Sequence, residues 1–190
     1  MPKTHTFLFM GAPGSGKGTQ AALLAERLGG RVFTSGDEFR ALAASQVYVG
    51  RRLRESLEAG ELMPAWFASF VFEKTLLALE PQETIIFGGS VRTKDEAELF
   101  HEVVHWLGRP YIAIYLEASE AVVAQRLQAQ AGKEGRRDDD QSVFHKRMEE
   151  FNAKTLPAVD FFRTCGTLSI VNGDEPIETV QKNIHRILGL

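Results

Sequence analysis

Ten residues near the amino terminus limit this chain more than any others: Gly11-Ala12-Pro13-Gly14-Ser15-Gly16-Lys17-Gly18-Thr19-Gln20. The apolar run Phe7-Leu8-Phe9-Met10 leads into them, and Ala21-Ala22-Leu23-Leu24-Ala25 carries on as a helical pattern. Strand, glycine-rich turn with one lysine, then helix is the context in which successive backbone N–H groups wrap an anion. The helix start adds partial positive charge, and Lys17 is a point charge for the outer phosphates of a nucleoside triphosphate. The residue after Lys17 is Gly18 and the first hydroxyl is Thr19. A loop hydroxyl is therefore not assured as a Mg²⁺ ligand, and another group is expected to hold the metal.

The rest of the chain reads as an α/β domain. Phe7–Met10, Thr84–Phe87, Tyr111–Leu116 and Leu168–Val171 are buried strands by composition, and Arg31–Thr34 is a weaker fifth. Segments 17–29, 36–58, 64–79, 94–107, 119–130, 141–163 and 176–188 carry apolar residues at helical spacing. This alternation predicts a parallel sheet with helices on both faces. At 190 residues the chain suits one domain. A net charge of −3 gives no global attraction to nucleic acid or membrane, so any anion site must be a local basic cluster. No apolar run approaches the roughly 20 residues that span a bilayer. The single cysteine, Cys165, forms no internal disulfide, which fits a reducing cytosol.

Further signals carry chemistry. In Thr34-Ser35-Gly36-Asp37-Glu38-Phe39-Arg40, Ser35 or Asp37 is placed to cap a helix with Arg40 one turn in. Arg92-Thr93 follows a strand, at the carboxyl end where open parallel sheets bind ligands. Gly135-Arg136-Arg137-Asp138-Asp139 lies in a stretch, 132–140, with no apolar side chain to bury, and Arg147 is on the helix beyond it. Transfer between two phosphate chains needs many positive donors and a way to exclude water.

On these residues the sequence resembles the adenylate kinase family of nucleoside monophosphate kinases over nearly its whole length. Residues 11–20 look like the family's phosphate loop, Ser35-Gly36-Asp37 through Arg40 is similar to its monophosphate segment, and Gly60-Glu61-Leu62-Met63-Pro64 resembles the end of that subdomain. Gly135-Arg136-x-Asp138-Asp139 and Arg147 match its lid pattern; the lid is of the short kind, and with no cysteine quartet a structural zinc is excluded. The resemblance implies a single domain over 1–190 with a P-loop NTPase core, a five-stranded parallel sheet, a monophosphate-binding flap at 34–63 and a lid at 130–140. It implies that Gly14, Ser15, Gly16, Lys17, Gly18, Thr19, Arg126 and Arg136 hold ATP. Ser35, Arg40, Met63, Gly89, Arg92, Glu96 and Arg147 would hold the monophosphate, and Lys17, Arg92, Arg136 and Arg147 would carry the transfer, Arg147 also reaching the donor side. Mg²⁺ would arrive with ATP, with no side chain assigned as its ligand. The partners implied are ATP and a nucleoside monophosphate, with no nucleic acid and no membrane, for a cytoplasmic monomer.

The chain departs from the family pattern at its centre. Gly88-Gly89-Ser90-Val91-Arg92-Thr93 stands where the family has Asp-Gly-Phe-Pro-Arg-Thr. Gly88 cannot order the Mg²⁺ water shell as the family's aspartate does, so a slow enzyme is expected; equally, two glycines let a backbone approach a ligand closely. Glu96 replaces a glutamine that reads adenine. A carboxylate only accepts: it takes adenine's amino hydrogen but cannot donate to the ring nitrogen, and guanine's two adjacent donors suit it better, so AMP stands first by the resemblance with GMP or another base open, as is the reading of Glu96 as a surface residue. Gln130 replaces a second lid arginine. The alternatives to an active kinase are a nucleotide-binding relative with little or no transferase activity and a phosphate-loop kinase with another small acceptor. Trp66, Phe67, Phe70 and Phe72 read as core along one helix, His101 and His105 as a metal pair only if a third ligand joins them, and His145 as a surface residue.

Overall fold

The computed structural model describes residues 4–59, 63–130 and 141–190. The predicted lid, with Arg136, Asp138 and Asp139, and the stretch Gly60-Glu61-Leu62 lie outside the described residues, as does the side chain of Gln130. The chain runs β1 (Thr6–Gly11), α1 (Lys17–Leu28), β2 (Arg31–Phe33), α2 (Ser35–Ala43), α3 (Tyr48–Glu58), α4 (Ala65–Leu77), β3 (Ile85–Gly88) and α5 (Lys94–Trp106). It continues through β4 (Tyr111–Glu117), α6 (Glu120–Gln130), α7 (Gln141–Glu150), a π-helical turn (Phe151–Thr155), α8 (Leu156–Thr164), β5 (Leu168–Asn172) and α9 (Ile177–Leu188). The five strands form one sheet in the order β2-β3-β1-β4-β5, with every pairing parallel.

Strand alternation divides the core in two. Leu8 and Met10 of β1 face a cluster with Phe72, Phe87, Phe100 and Phe162, while Phe7 and Phe9 face Leu24, Ile86, Ile114 and Ile184. Phe100 is the hub of the first cluster, edge-on to Phe72, Phe87, Tyr111 and Phe162 at centroid distances of 5.8, 5.3, 5.5 and 6.3 Å. The connection leaving β1 runs to one side of the sheet and that leaving β4 to the other. A crevice therefore opens at the carboxyl ends of the central strands, where α/β sheets take ligands.

Three expectations change. The helical segment 36–58 is two helices, because the carbonyls ending α2 are taken from outside it: Ser45 Oγ donates to Leu42 O at 2.5 Å and Arg54 Nη1 to Ala43 O. The segment 141–163 is interrupted by the π-helical turn, where the Leu156 N–H reaches back five residues to Phe151 O. Along α4, Phe67 and Phe72 are core but Trp66 and Phe70 are 72% and 57% exposed. That helix is apolar on nearly every face, so periodicity could not say which face turns inward. Among the described residues no helix is long and apolar enough to cross a membrane.

Candidate active site

Three loops leave adjacent strands at the same edge of the sheet: 12–16 after β1, Thr34 after β2 and 89–93 after β3. They wall a cleft of about 550 Å³, within the range of small-ligand sites. Gly14, Lys17, Gly18, Ser35, Arg40, Met63, Gly89, Arg92, Glu96 and Arg147 all line it. Ser15, Gly16, Thr19 and Arg126 do not: Ser15 is buried behind the loop and Thr19 is exposed at the start of α1.

The loop after β1 turns tightly. Ser15 N–H and Lys17 Nζ both donate to Ala12 O, at 3.1 and 2.9 Å. Arg126, on α6, donates to Ser15 O at 3.3 Å and to Glu175 O at 3.2 Å, joining the loop to the segment before α9. After β2 the helix cap is Thr34, not Ser35 or Asp37: its hydroxyl accepts from Asp37 N–H at 3.1 Å. Asp37 instead holds the guanidinium of Arg40 at 2.5 Å, and Ser35 N–H donates to Ser90 Oγ at 3.2 Å.

The loop after β3 is the unusual one. Gly89 has φ +77° and packs on the lysine: a methyl built there would lie 3.3 Å from Lys17 Cε and 3.8 Å from Arg92 Nη2. Two residues on, Val91 has φ +58° and is 1% exposed. A β-branched residue in the left-handed region is an outlier, worth on the order of 1–3 kcal/mol of strain. Such a backbone persists only when its surroundings over-determine it, and here Arg92 is held at three atoms. Its N–H donates to Glu96 Oε2 at 2.8 Å, its Nε to Gly89 O at 2.9 Å, and its carbonyl accepts from Thr155 Oγ1 at 2.9 Å.

Glu96 is 3% exposed, which overturns the reading of it as a surface residue. It is the third residue of α5, whose cap Thr93 accepts from Glu96 N–H at 3.3 Å. The pair is a variant of the capping box in which the carboxylate reaches back to Arg92 rather than to the cap. Thr-x-x-Glu at 93–96 was the signal for this role. Thr155 had none, because its direction depends on the π-helical turn that ends on it.

Positive charge converges on the cleft. Burial, then the guanidiniums of Arg92 and Arg147, pull the Lys17 ammonium down to about 7. Arg92 is enclosed by protein, although much of its surface opens to the cleft. That enclosure lowers its pKa; Glu96 opposes the shift, and Arg147 and Arg40 add to it. Burial raises Glu96, against the pull of the Arg92 N–H and guanidinium. Cations that weaken one another in this way are offset best by a ligand rich in anionic oxygens.

The described side chains do not form a cage for Mg²⁺. No group of three or more carboxylate, histidine or cysteine side chains is placed to hold a metal among the described residues. His101 and His105 gain no third ligand: His101 Nδ1 is paired with the Tyr111 hydroxyl at 2.6 Å and its ring stacks on His105. At Gly88 there is room for a side chain, since an added Cβ would make ordinary contacts of 3.4 Å with Ala21 Cβ and 3.6 Å with Thr34 Cγ2.

A glycine-rich loop between strand and helix, facing arginines from three other elements across one cleft, defines a P-loop nucleotide-binding protein. A family model described as adenylate kinase matches residues 9–167. The chain is 37% identical over 183 residues to an adenylate kinase of Synechococcus sp. (strain JA-2-3B'a(2-13)), covering 95% of this chain and 94% of that one. It is 33% identical over 184 residues to an adenylate kinase of Thermus thermophilus, covering 96% of each, and 32% identical over 182 residues to one of Cyanothece sp. (strain PCC 7425), covering 95% and 93%. The chain belongs to the adenylate kinase family and is an ATP-dependent phosphotransferase.

Proposed function

We propose that the chain transfers the γ-phosphoryl group of ATP to a nucleoside monophosphate, AMP first among them. The observation that carries this reading is the convergence of Lys17, Arg40, Arg92 and Arg147, from four different elements, on one cleft between the loops after β1 and β3. Two phosphate chains brought face to face need this density of fixed cations, most of all where charge develops in transfer. In this reading Lys17 and the backbone of 14–19 hold the triphosphate, with Arg126 bracing the loop from behind. Arg40 and Arg92 hold the phosphate of the monophosphate, and Arg147 with Arg136 neutralises the group in flight. Segments 34–63 and 130–140 act as flap and lid that exclude water. Mg²⁺ rides on the nucleotide phosphates.

Turnover is slow in this proposal, because Gly88 offers no carboxylate beside the transferring group. Glu96 shapes the choice of base with the carboxylate oxygen that Arg92 does not use. That oxygen only accepts, so it suits a base edge presenting amino or imino hydrogens, as adenine's amino group and guanine's pairing edge both do. The test is a coupled assay with ATP, Mg²⁺ and AMP, GMP, CMP or UMP in turn. Turnover is expected with AMP or GMP. Tight ATP binding with no turnover on any of the four would overturn the proposal.

A further inference from the structure

Thr155 belongs to none of the roles above, yet its hydroxyl is the only group from outside the segment 89–96 that holds a backbone atom of Arg92 among the described residues. It is 7% exposed and lines the cleft. A threonine inside a helix ordinarily turns its hydroxyl back to the carbonyl one turn before. Here the carbonyl of Phe151 accepts from Leu156 N–H instead, and Thr155 Oγ1 crosses 63 positions of sequence to Arg92 O at 2.9 Å. The π-helical turn Phe151–Thr155 makes this possible by shifting the register just after the last turn of α7, which carries Arg147. Single π turns of this kind occur often at functional sites.

We propose that Thr155 is the positioning residue for Arg92. Its hydroxyl fixes the Arg92 carbonyl, one peptide beyond the strained Val91, and so keeps the guanidinium directed at the phosphate of the acceptor. The proposal rests on the reading that Arg92 holds that phosphate. Three restraints act on Arg92: Gly89 belongs to its own loop, and Glu96 to α5, the helix into which that loop runs. Thr155 instead ties it to the helical segment that follows the turn presenting Arg147, so the hydroxyl sets the placement of one arginine relative to the other. Without the donor, the Arg92 carbonyl would have to find another partner or remain unsatisfied, and the backbone at Val91 could relax toward an ordinary φ.

The test uses the full chain with Thr155→Val, which keeps the shape and removes the donor, and Thr155→Ser, which keeps the donor. Amide hydrogen exchange without nucleotide should speed up about tenfold over 88–96 in Thr155→Val, and Thr155→Ser should match the parent. In steady-state kinetics Thr155→Val should raise KM for the monophosphate about tenfold and leave KM for ATP within about twofold, with Thr155→Ser restoring it. Unchanged exchange in Thr155→Val, or a Thr155→Ser as fast as Thr155→Val, overturns the tether. Arg92→Ala is measured alongside. If it leaves KM for the monophosphate unchanged, the assignment of Arg92 fails and exchange alone decides the tether. If it raises KM while Thr155→Val does not, Thr155 has no positioning role.

Discussion

The loops after β1 and β3 leave neighbouring strands and face one cleft, but they keep their shapes by different means. The first places glycine wherever φ is positive, at Gly11, Gly14 and Gly16, and closes on itself through Ala12 O. The second places glycine at 89 but valine at 91, and is held by Glu96 and Thr155. A loop built from permissive residues carries its conformation wherever its sequence is copied. A loop built on a strained residue depends on partners that lie elsewhere in the chain, and its function can be tuned or lost from a distance.

Three experiments would break or sharpen this contrast. The largest effect belongs to the first loop: Lys17→Met should lower kcat/KM by on the order of 10²–10³, as loss of one fixed positive donor at a phosphoryl centre does. It should also flatten the pH dependence of ATP binding. With Lys17 at about 7 in the free protein, binding must take up a proton above that pH, so Kd should rise up to about tenfold per pH unit in the parent relative to Lys17→Met. The sign for stability is opposite to that of a paired lysine. The folded pKa lies below the ordinary 10.5, so the unfolded chain binds more protons between about 7 and 10.5. Stability of the nucleotide-free protein therefore rises with pH across that window, and the penalty is fully present below it. Lys17→Met should accordingly stabilise the free protein, read as a higher melting temperature at pH 6.

The next effect is at the second loop. Gly88→Asp, for which the backbone leaves space, should raise kcat about tenfold or more by supplying a carboxylate beside the cleft. An unchanged kcat would mean that the metal is already ordered by other groups. The smallest effect compares the two loops directly through denaturant midpoints. Gly14→Ala should cost about 1–2 kcal/mol, because φ is +80° and the new Cβ would lie 3.1 Å from Leu127 Cγ. Val91→Gly should stay within about 1 kcal/mol of the parent, relief of strain offsetting lost burial. Equal costs at both positions would erase the distinction.

What could be read from the residues alone follows the same division. The phosphate loop was legible because its spacing and flanks are local, and β1, β3 and β4 were placed to within one residue because buried parallel strands are continuous apolar runs. Leu168–Val171 was placed as well but is not the buried strand expected, since β5 is an edge strand with only Val171 buried. The five-stranded P-loop core and the family followed from the resemblance carried by those motifs; the order β2-β3-β1-β4-β5 was not read from the sequence. Trp66 and Phe70 were misplaced because which face of an all-apolar helix is covered depends on its neighbours. The break between α2 and α3 depends on Arg54, eleven positions from the carbonyl it takes. Glu96 was singled out only as the replacement of a base-reading glutamine, its capping role at Thr93 passing unread, and Thr155 was not singled out at all, since a π turn has no spacing signature.

The pairing of β1 with β3 places Phe9 opposite Gly88, and adjacent strands lie about 4.8 Å apart. The separation of the two loop roots is thus gauged by backbone hydrogen bonds, which no side-chain exchange touches. In the proposed reaction a substitution at Gly88 can therefore change the speed of transfer while the spacing between the two loop roots stays set by the ladder.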